Sequence, residues 1–198
     1  MSTWHRGDLG RAGEFASQAL ELYEQLGMES GRANVWHRRC LVALERGRLQ
    51  EAEQEGNRAL AVRIAQGEDR AGAFVLYDLA RVALASRQPA LAKERLARGF
   101  ELARPQGAPV IDVLFVEGTA AYLAQVDEDE DGYLLLAAAE SWRARLGVPV
   151  APVVVDNQRR LGKRLRGRLD GYKRAAIEER ARSLGVAERL ELTAVHLA

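Results

Sequence analysis

The sequence has a single cysteine, Cys40, so no disulfide can form within the chain, and this fits a reducing cytoplasm. No stretch approaches the roughly 20 consecutive apolar residues that a membrane-spanning helix needs. Residues 1–6 contain no apolar run of the kind that begins a secretion signal. The formal net charge is only +1, so no overall field attracts nucleic acid or anionic lipid. We therefore expect a cytoplasmic protein without a membrane segment or direct nucleic-acid binding.

The sequence is rich in helix-forming residues, and its residue pattern repeats regularly. Hydrophobic residues make up 47% and charged residues 29%, a balance typical of folded chains, and Ala, Leu, Glu and Arg dominate. Glycines that follow helix-like stretches recur at a constant interval, at Gly27, Gly67, Gly107 and Gly147. Glycine takes the left-handed conformation just past a helix end at little cost. The pattern predicts stacked helix pairs with a forty-residue period.

Small residues share this period and phase. The first series is Ala12, Ala52, Ala92 and Gly132, and the second, seven residues further on, is Ala19, Ala59, Gly99 and Ala139. Residues seven apart share one helical face, so small side chains there let a neighbouring helix approach closely. The predicted helices are 8–26, 29–46, 48–66, 69–86, 88–105, 109–125 and 130–146.

The period breaks after residue 147, so two parts are predicted. Residues 1–147 form repeats, the first truncated, and residues 148–198 form a degenerate fifth repeat with a C-terminal capping helix. Pro149 and Pro152 delimit the junction. The further helices are predicted at 154–168, 171–184 and 186–196.

Each unit resembles the tetratricopeptide repeat (TPR) in its order of residue types. In the second unit the pattern is carried by Trp36, Cys40, Gly47, Ala52 and Ala59. The resemblance covers residues 4–147 and implies an all-α fold: a right-handed superhelical solenoid of antiparallel helix pairs. In this family the first helix of each pair lines a concave groove that binds peptides. The matching positions here are Asn34, His37, Arg38, Leu41, Phe74, Tyr77, Asp78, Arg81, Leu114, Glu117 and Ala121.

A second resemblance concerns LLLAAAESWRARLGVPV (134–150) and DGYKRAAIEERARSLGVAERLELTAV (170–195). Both stretches are similar to the C-terminal region of large bacterial ATP-dependent transcriptional activators of the maltose-regulon-activator type. In that family the C-terminal repeats sense an inducer or a partner protein. The chain has neither the GxxxxGK[ST] phosphate loop nor a separate DNA-binding domain of that family. The resemblance thus implies the sensor part of a regulator or a stand-alone relative.

The acidic run 127–132 begins like a calcium-binding loop, with Asp127, Asp129 and Asp131 followed by Gly132. Such a loop needs a bidentate glutamate at its twelfth position, which is Ala138 here. The alternative is an exposed turn whose acids favour the positive N-terminus of the following helix. A second charged feature, the basic run 159–174, is interpreted as a solvated helix face, with an acidic partner or phosphates as the alternative.

No catalytic constellation is present. The three histidines lack metal-ligand spacing, and no nucleophile lies beside a base in the sequence pattern, so we predict neither an enzyme nor a cofactor. The leading hypothesis is a non-catalytic scaffold that binds a protein or peptide in the groove. One alternative is a structural oligomerisation module, a homodimer through the uncapped N-terminal repeat. Another is a weakly calcium-responsive helical array.

Overall fold

The structure is a computed structural model that describes residues 9–147 and 152–198. These residues form ten α-helices and no strands. The first seven are α1 Leu9–Gln25, α2 Glu29–Glu45, α3 Leu49–Ala65, α4 Asp69–Ala85, α5 Pro89–Ala103, α6 Pro109–Gln125 and α7 Asp129–Leu146. The last three are α8 Pro152–Arg168, α9 Gly171–Ser183 and α10 Val186–Leu197. The predicted helices are all confirmed, with ends that differ by one or two residues. The start of the predicted truncated first repeat, residues 1–8, and the predicted junction at Pro149 lie outside the described residues.

A recurring turn explains why the first seven helices begin at a constant interval along the chain. At the end of α2, the Gly47 amide donates to the Leu44 carbonyl and the Arg48 amide to the Ala43 carbonyl. This is the Schellman pairing, which needs a left-handed residue, and Gly47 has a φ of 71°. Arg87 and Asp127 occupy the same place one and two periods later, with φ values of 59° and 64°. The turn therefore keeps its geometry at the two positions where arginine or aspartate replaces glycine.

Small residues let the first seven helices pack in sequence order, each against the next, and α4 also contacts α6. The predicted positions Ala52, Ala59, Ala92 and Ala139 are fully buried. Gly99 shows the constraint most clearly, because a Cβ there would lie 2.7 Å from Cζ of Phe115 and 3.0 Å from Cβ of Leu76. An all-helical chain with consecutive helices packed in this way is consistent with a helical repeat.

The last three helices pack on the second half of the repeats. Helix α8 contacts α6 and α7, α9 contacts α7, and α10 contacts α5, α6 and α7. Leu165 and Leu197 are buried in the two largest core clusters. Two hydrogen bonds show that α8 packs against α6 much as α6 packs against α4. Gln125 Nε2 donates to the Leu84 carbonyl at 2.7 Å, and Arg164 Nη2 donates to the Ala124 carbonyl, one period later, at 2.6 Å.

No helix within residues 9–147 and 152–198 is both long and apolar enough to cross a membrane.

Candidate functional site

The eleven predicted groove residues lie on α2, α4 and α6, but they differ in exposure. Asn34 and Arg38 are exposed, whereas Asp78 and Glu117 are buried. The half-buried members are His37, Leu41, Phe74, Tyr77, Arg81, Leu114 and Ala121. A surface that recognises a partner needs accessible side chains, so the buried members have to act through their neighbours.

Four polar side chains of α2 and α4 form one network. His37 Nε2 lies 2.8 Å from Asp78 Oδ2, and Arg81 donates to Asp78 Oδ1 at 2.8 Å and to Glu45 at 3.0 Å. Burial alone would raise the pKa of Asp78, but the hydrogen bond from His37 and the charge of Arg81 lower it overall. Burial would likewise lower the pKa of Arg81, yet the charge of Asp78 raises it. Both groups therefore stay ionised at neutral pH and tie the two helices together.

Two further predicted residues are held by arginines of the other helices. Glu117 accepts two hydrogen bonds from Arg143 of α7, one of them 2.7 Å between Nη2 and Oε2, and both side chains are buried. Asn34 accepts from Arg63 of α3 at 2.5 Å. Bidentate arginine–carboxylate pairs have a specific geometry. The pair of Glu117 and Arg143 therefore fixes how α6 packs against α7.

A cavity of about 460 Å³ lies between α4, α6 and α8. Four predicted groove residues line it: Tyr77, Arg81, Glu117 and Ala121. Tyr77 is ordered by an edge-on contact with Phe115, with ring centroids 6.0 Å apart. Burial raises the pKa of Tyr77, so its phenol is neutral at physiological pH. The remaining predicted residues do not line this cavity: Asn34, His37, Arg38, Leu41, Phe74, Asp78 and Leu114.

Part of the cavity wall was not predicted from the sequence. Asn157, Gln158 and Leu161 of α8 line it. Yet these three positions continue the forty-residue period from 117, 118 and 121 on α6, which in turn continues it from 77, 78 and 81 on α4. Extending the period by one more step would have identified them. The floor residues Leu96 and Leu136, from α5 and α7, carried no such signal because the family's groove positions lie only on the first helix of each pair.

The acidic run and the basic run, treated separately in the sequence, contact each other. Arg168 donates to Asp127 at 2.7 Å and to Asp129 at 3.0 Å, and Lys173 donates to Glu130 at 2.5 Å. Asp129, Glu130 and Asp131 also occupy the first turn of α7, where acids interact favourably with the helix dipole.

These ion pairs bear on the calcium hypothesis, because arginine already occupies two of the three proposed ligands. Asp131 faces His196 Nε2 at 3.6 Å. Among the residues that the structure describes, no three His, Cys, Asp or Glu side chains are grouped so as to hold a metal ion. Calcium binding stays a prediction with no support from the geometry.

Cys40 is a packed thiol. It is fully buried beside Ala43, Ala52 and Val82, and burial raises its pKa to about 12. The thiolate is the nucleophilic form, so a thiol with so high a pKa is inert at neutral pH. The expectation that the chain is not an enzyme stays a prediction.

No protein-family model, curated protein or solved structure matches the chain. The resemblances to tetratricopeptide repeats and to large transcriptional activators therefore remain inferences from the residues quoted above.

Proposed function

We propose that the chain is a non-catalytic recognition module that binds a protein or peptide segment on the face formed by α2, α4 and α6. In this proposal the helix pairs form a right-handed superhelix of the tetratricopeptide type. Helix α8 serves as the first helix of a fifth unit. The module would act as the sensor or scaffold part of a cytoplasmic bacterial regulator.

One observation carries the proposal: Tyr77, Arg81, Glu117 and Ala121, chosen from sequence as groove residues, line a single cavity. Concave sites lined by apolar and aromatic side chains with a few polar groups are where proteins bind ligands. The two exposed members, Asn34 and Arg38, extend the same face beyond the cavity. Arginine and tyrosine are also the residue types that most often anchor interfaces.

The structure also decides which substitutions can test the proposal. Tyr77 packs on Phe115, and Arg81 bridges α2 and α4, so removing them would disturb the fold as well as any binding. Arg38 is exposed, and Leu41 lies one helical turn after it on α2. The variant Arg38→Glu with Leu41→Asp therefore changes the face without removing a member of the His37, Glu45, Asp78 and Arg81 network.

The experiment uses a random peptide library displayed on phage, selected against the immobilised chain. Enriched peptides are synthesised, and their affinities are measured by fluorescence anisotropy. We expect the Arg38→Glu, Leu41→Asp variant to lose at least about tenfold in affinity, as for a central interface residue. The matched control is Arg98→Glu on α5, which is exposed and lies outside this face.

The control should bind as the unmodified chain does. Failure to enrich any peptide sequence, or equal affinity of both variants, would reject the face as a recognition surface.

An oligomerisation module is the second candidate, because large apolar side chains of α1 and of the turn that follows it are exposed. Leu22, Leu26 and Met28 are 57%, 68% and 49% exposed, respectively. Large apolar side chains clustered at one end of a molecule mark interaction sites. Light scattering at high concentration tests this candidate. A dimer that Leu22→Glu with Leu26→Glu converts to monomer supports it, and a strict monomer rejects it.

A further inference from the structure

Arg189 of α10 has the largest completely buried side chain among the residues that the structure describes, with an exposed fraction of 0%. A guanidinium group carries several N–H donors, and each of them needs an acceptor when it is buried. Nη2 of Arg189 lies 3.5 Å from the Ala181 carbonyl of α9, at the long limit of a hydrogen bond. Nε and Nη1 have no hydrogen-bond partner within residues 9–147 and 152–198. Most donors of Arg189 are therefore buried and unsatisfied.

The charge of Arg189 also lacks a compensating partner. The guanidinium carbon lies 5.7 Å from the ring centroid of Trp142 on α7, and this aromatic contact does not supply a counter-ion. Burial, and after it the charge of Arg145 on α7, lower the pKa of Arg189, while the charge of Glu188 acts in the opposite direction. Glu188 is exposed and accepts a hydrogen bond from the Gly185 amide. Because arginine remains charged at physiological pH, the attached α10 holds a cation in the interior.

Apolar side chains of α10 favour the attached position. Leu197 is buried in the cluster that includes Phe100 of α5 and Phe115 of α6. Leu190 packs against this cluster and also against the neighbouring cluster formed mainly by α6 and α7. Removal of apolar surface from water is favourable, whereas burial of an unpaired charge is strongly unfavourable. The attachment of α10 is therefore a balance between two opposing contributions.

The connections of α10 allow it to leave without the repeats. Only Leu184 and Gly185 lie between the end of α9 and the start of α10, so rotation at these two residues moves α10 by itself. An ion pair between His196 and Asp131 of α7, with a separation of 3.6 Å, also has to break. Both of its side chains are partly exposed, and ion pairs of this kind contribute little stability. The helices that α10 contacts, α5, α6 and α7, also pack against each other in sequence order.

We propose that α10 is a detachable helix, which leaves the surface of α5, α6 and α7 as a unit while the repeats stay folded. Release places the guanidinium of Arg189 in water, where its charge is solvated and its donors find acceptors. It also uncovers the apolar surface that Leu190 and Leu197 occupy in the attached state. The chain then has two conformations that differ in the position of one helix. This inference does not depend on peptide binding, because it uses neither Arg38 nor Leu41.

Amide hydrogen exchange of the full chain, followed by NMR at urea concentrations below the unfolding transition, tests the proposal. Detachment of α10 exposes little surface compared with global unfolding, so the protection of α10 should depend only weakly on urea. Protection in α4 to α6 should depend strongly on urea and, without urea, should exceed that of α10 by about tenfold or more. Equal protection and equal urea dependence in α10 and α6 would show that α10 opens only when the whole chain unfolds, and would overturn the proposal.

Two variants separate the charge of Arg189 from its shape. Arg189→Met keeps a long unbranched side chain without a charge, and it should raise the protection of α10 by about tenfold or more, because the unpaired cation is removed. Arg189→Lys keeps the charge and should not raise the protection. The matched control is Arg180→Met, at an exposed position of α9, which should leave the protection of α10 unchanged. Protection in α4 to α6 should be the same in all three variants.

Three results with these variants would contradict the proposal. Lower protection of α10 in Arg189→Met would mean that the guanidinium stabilises the attachment. Equal protection of α10 in Arg189→Met and Arg189→Lys would mean that the charge has no part in it. Lower protection throughout α4 to α6 in Arg189→Met would show that Arg189 supports the repeats themselves. None of these results affects the peptide selection on α2, so the two proposals can fail separately.

Discussion

The helices from α1 to α7 begin at a constant interval, whereas α8, α9 and α10 begin at Pro152, Gly171 and Val186, out of that rhythm. The repeating helices contact each other through buried alanines and glycines. The C-terminal helices add long charged side chains that reach back by about one period, as in the pair of Arg168 with Asp127. Close packing of small residues requires one register, whereas long ion pairs tolerate several. We infer that the repeats form the cooperative core and that α8 and α9 are the more easily displaced elements.

That difference matters for the candidate site, because α8 supplies one wall of the cavity. The other walls come from α4 to α7, which belong to the repeats. Ligand-binding elements are commonly drawn from the less stable parts of a fold. A cavity closed by a weakly held helix can admit a guest without unfolding the repeats.

The largest expected effect tests the cooperative core. Phe115 of α6 is fully buried and contacts Phe100 and Tyr77 with ring centroids 6.0 Å apart in both cases. Phe115→Ala should lower the free energy of unfolding by about 3–5 kcal/mol. Urea denaturation followed by circular dichroism measures the loss. Its matched control is Leu114→Ala, the half-buried neighbour, which should cost about 1 kcal/mol. Equal losses would mean that α6 does not belong to a tightly packed core.

Trp36 gives the next largest effect, at the other end of the core. It is half-buried against Ala59, Val75 and Leu79, and the Arg32 guanidinium carbon lies 4.8 Å from its ring centroid. Trp36→Ala should cost about 2 kcal/mol, between the loss for a fully buried aromatic residue and that for a surface residue. Denaturant titration checks this value. A loss below about 0.5 kcal/mol would show that the repeat packing does not extend to α2.

The turn residues provide a smaller effect of opposite sign. A left-handed conformation costs a non-glycine residue about 1–2 kcal/mol, partly offset by the greater unfolded-state freedom of glycine. Arg87→Gly should therefore raise the free energy of unfolding by about 0.5–1 kcal/mol. Asp127→Gly should gain less, because it also removes the carboxylate that Arg168 contacts. Gly47→Ala is the converse control and should be destabilising. A loss with Arg87→Gly, measured by thermal melting, would contradict this account of the turn.

Much of the fold was predictable because local signals coincide. Glycine past each helix end, small residues seven apart and a forty-residue period all indicate the same helices, and the predicted bounds of α2, 29–46, differ from the observed ones by one residue. The contacts that shape the site were not predictable in this way. His37 and Asp78 lie 41 residues apart, and their hydrogen bond depends on how α2 packs against α4.

The same limit explains why the sequence did not predict that the acidic run 127–132 pairs with the basic run 159–174. The spacing of Asp127 and Asp129 matches a cation loop as well as it matches an ion pair with α8. Only the packing of α8 on α6 and α7 brings Arg168 within 2.7 Å of Asp127. The α8 wall of the cavity could have been found, since Asn157 and Leu161 continue the forty-residue series.

The smallest expected effect on overall stability is the sharpest test of the comparison between the two regions. Arg168→Gln removes the ion pairs of Arg168 with Asp127 and Asp129, which are exposed and therefore sensitive to salt. Urea denaturation of the whole chain should barely change. Amide hydrogen exchange should become faster in α8 and remain unchanged in α4 to α6. Raising the salt concentration should produce the same local change in the unmodified chain.

The control Arg182→Gln, which breaks only a pair with Glu179 inside α9, should leave the hydrogen exchange of α8 unchanged. Equal protection of α8 with and without Arg168 would show that Leu165 and its apolar neighbours hold this wall alone. The C-terminal helices would then belong to the same cooperative core as the repeats.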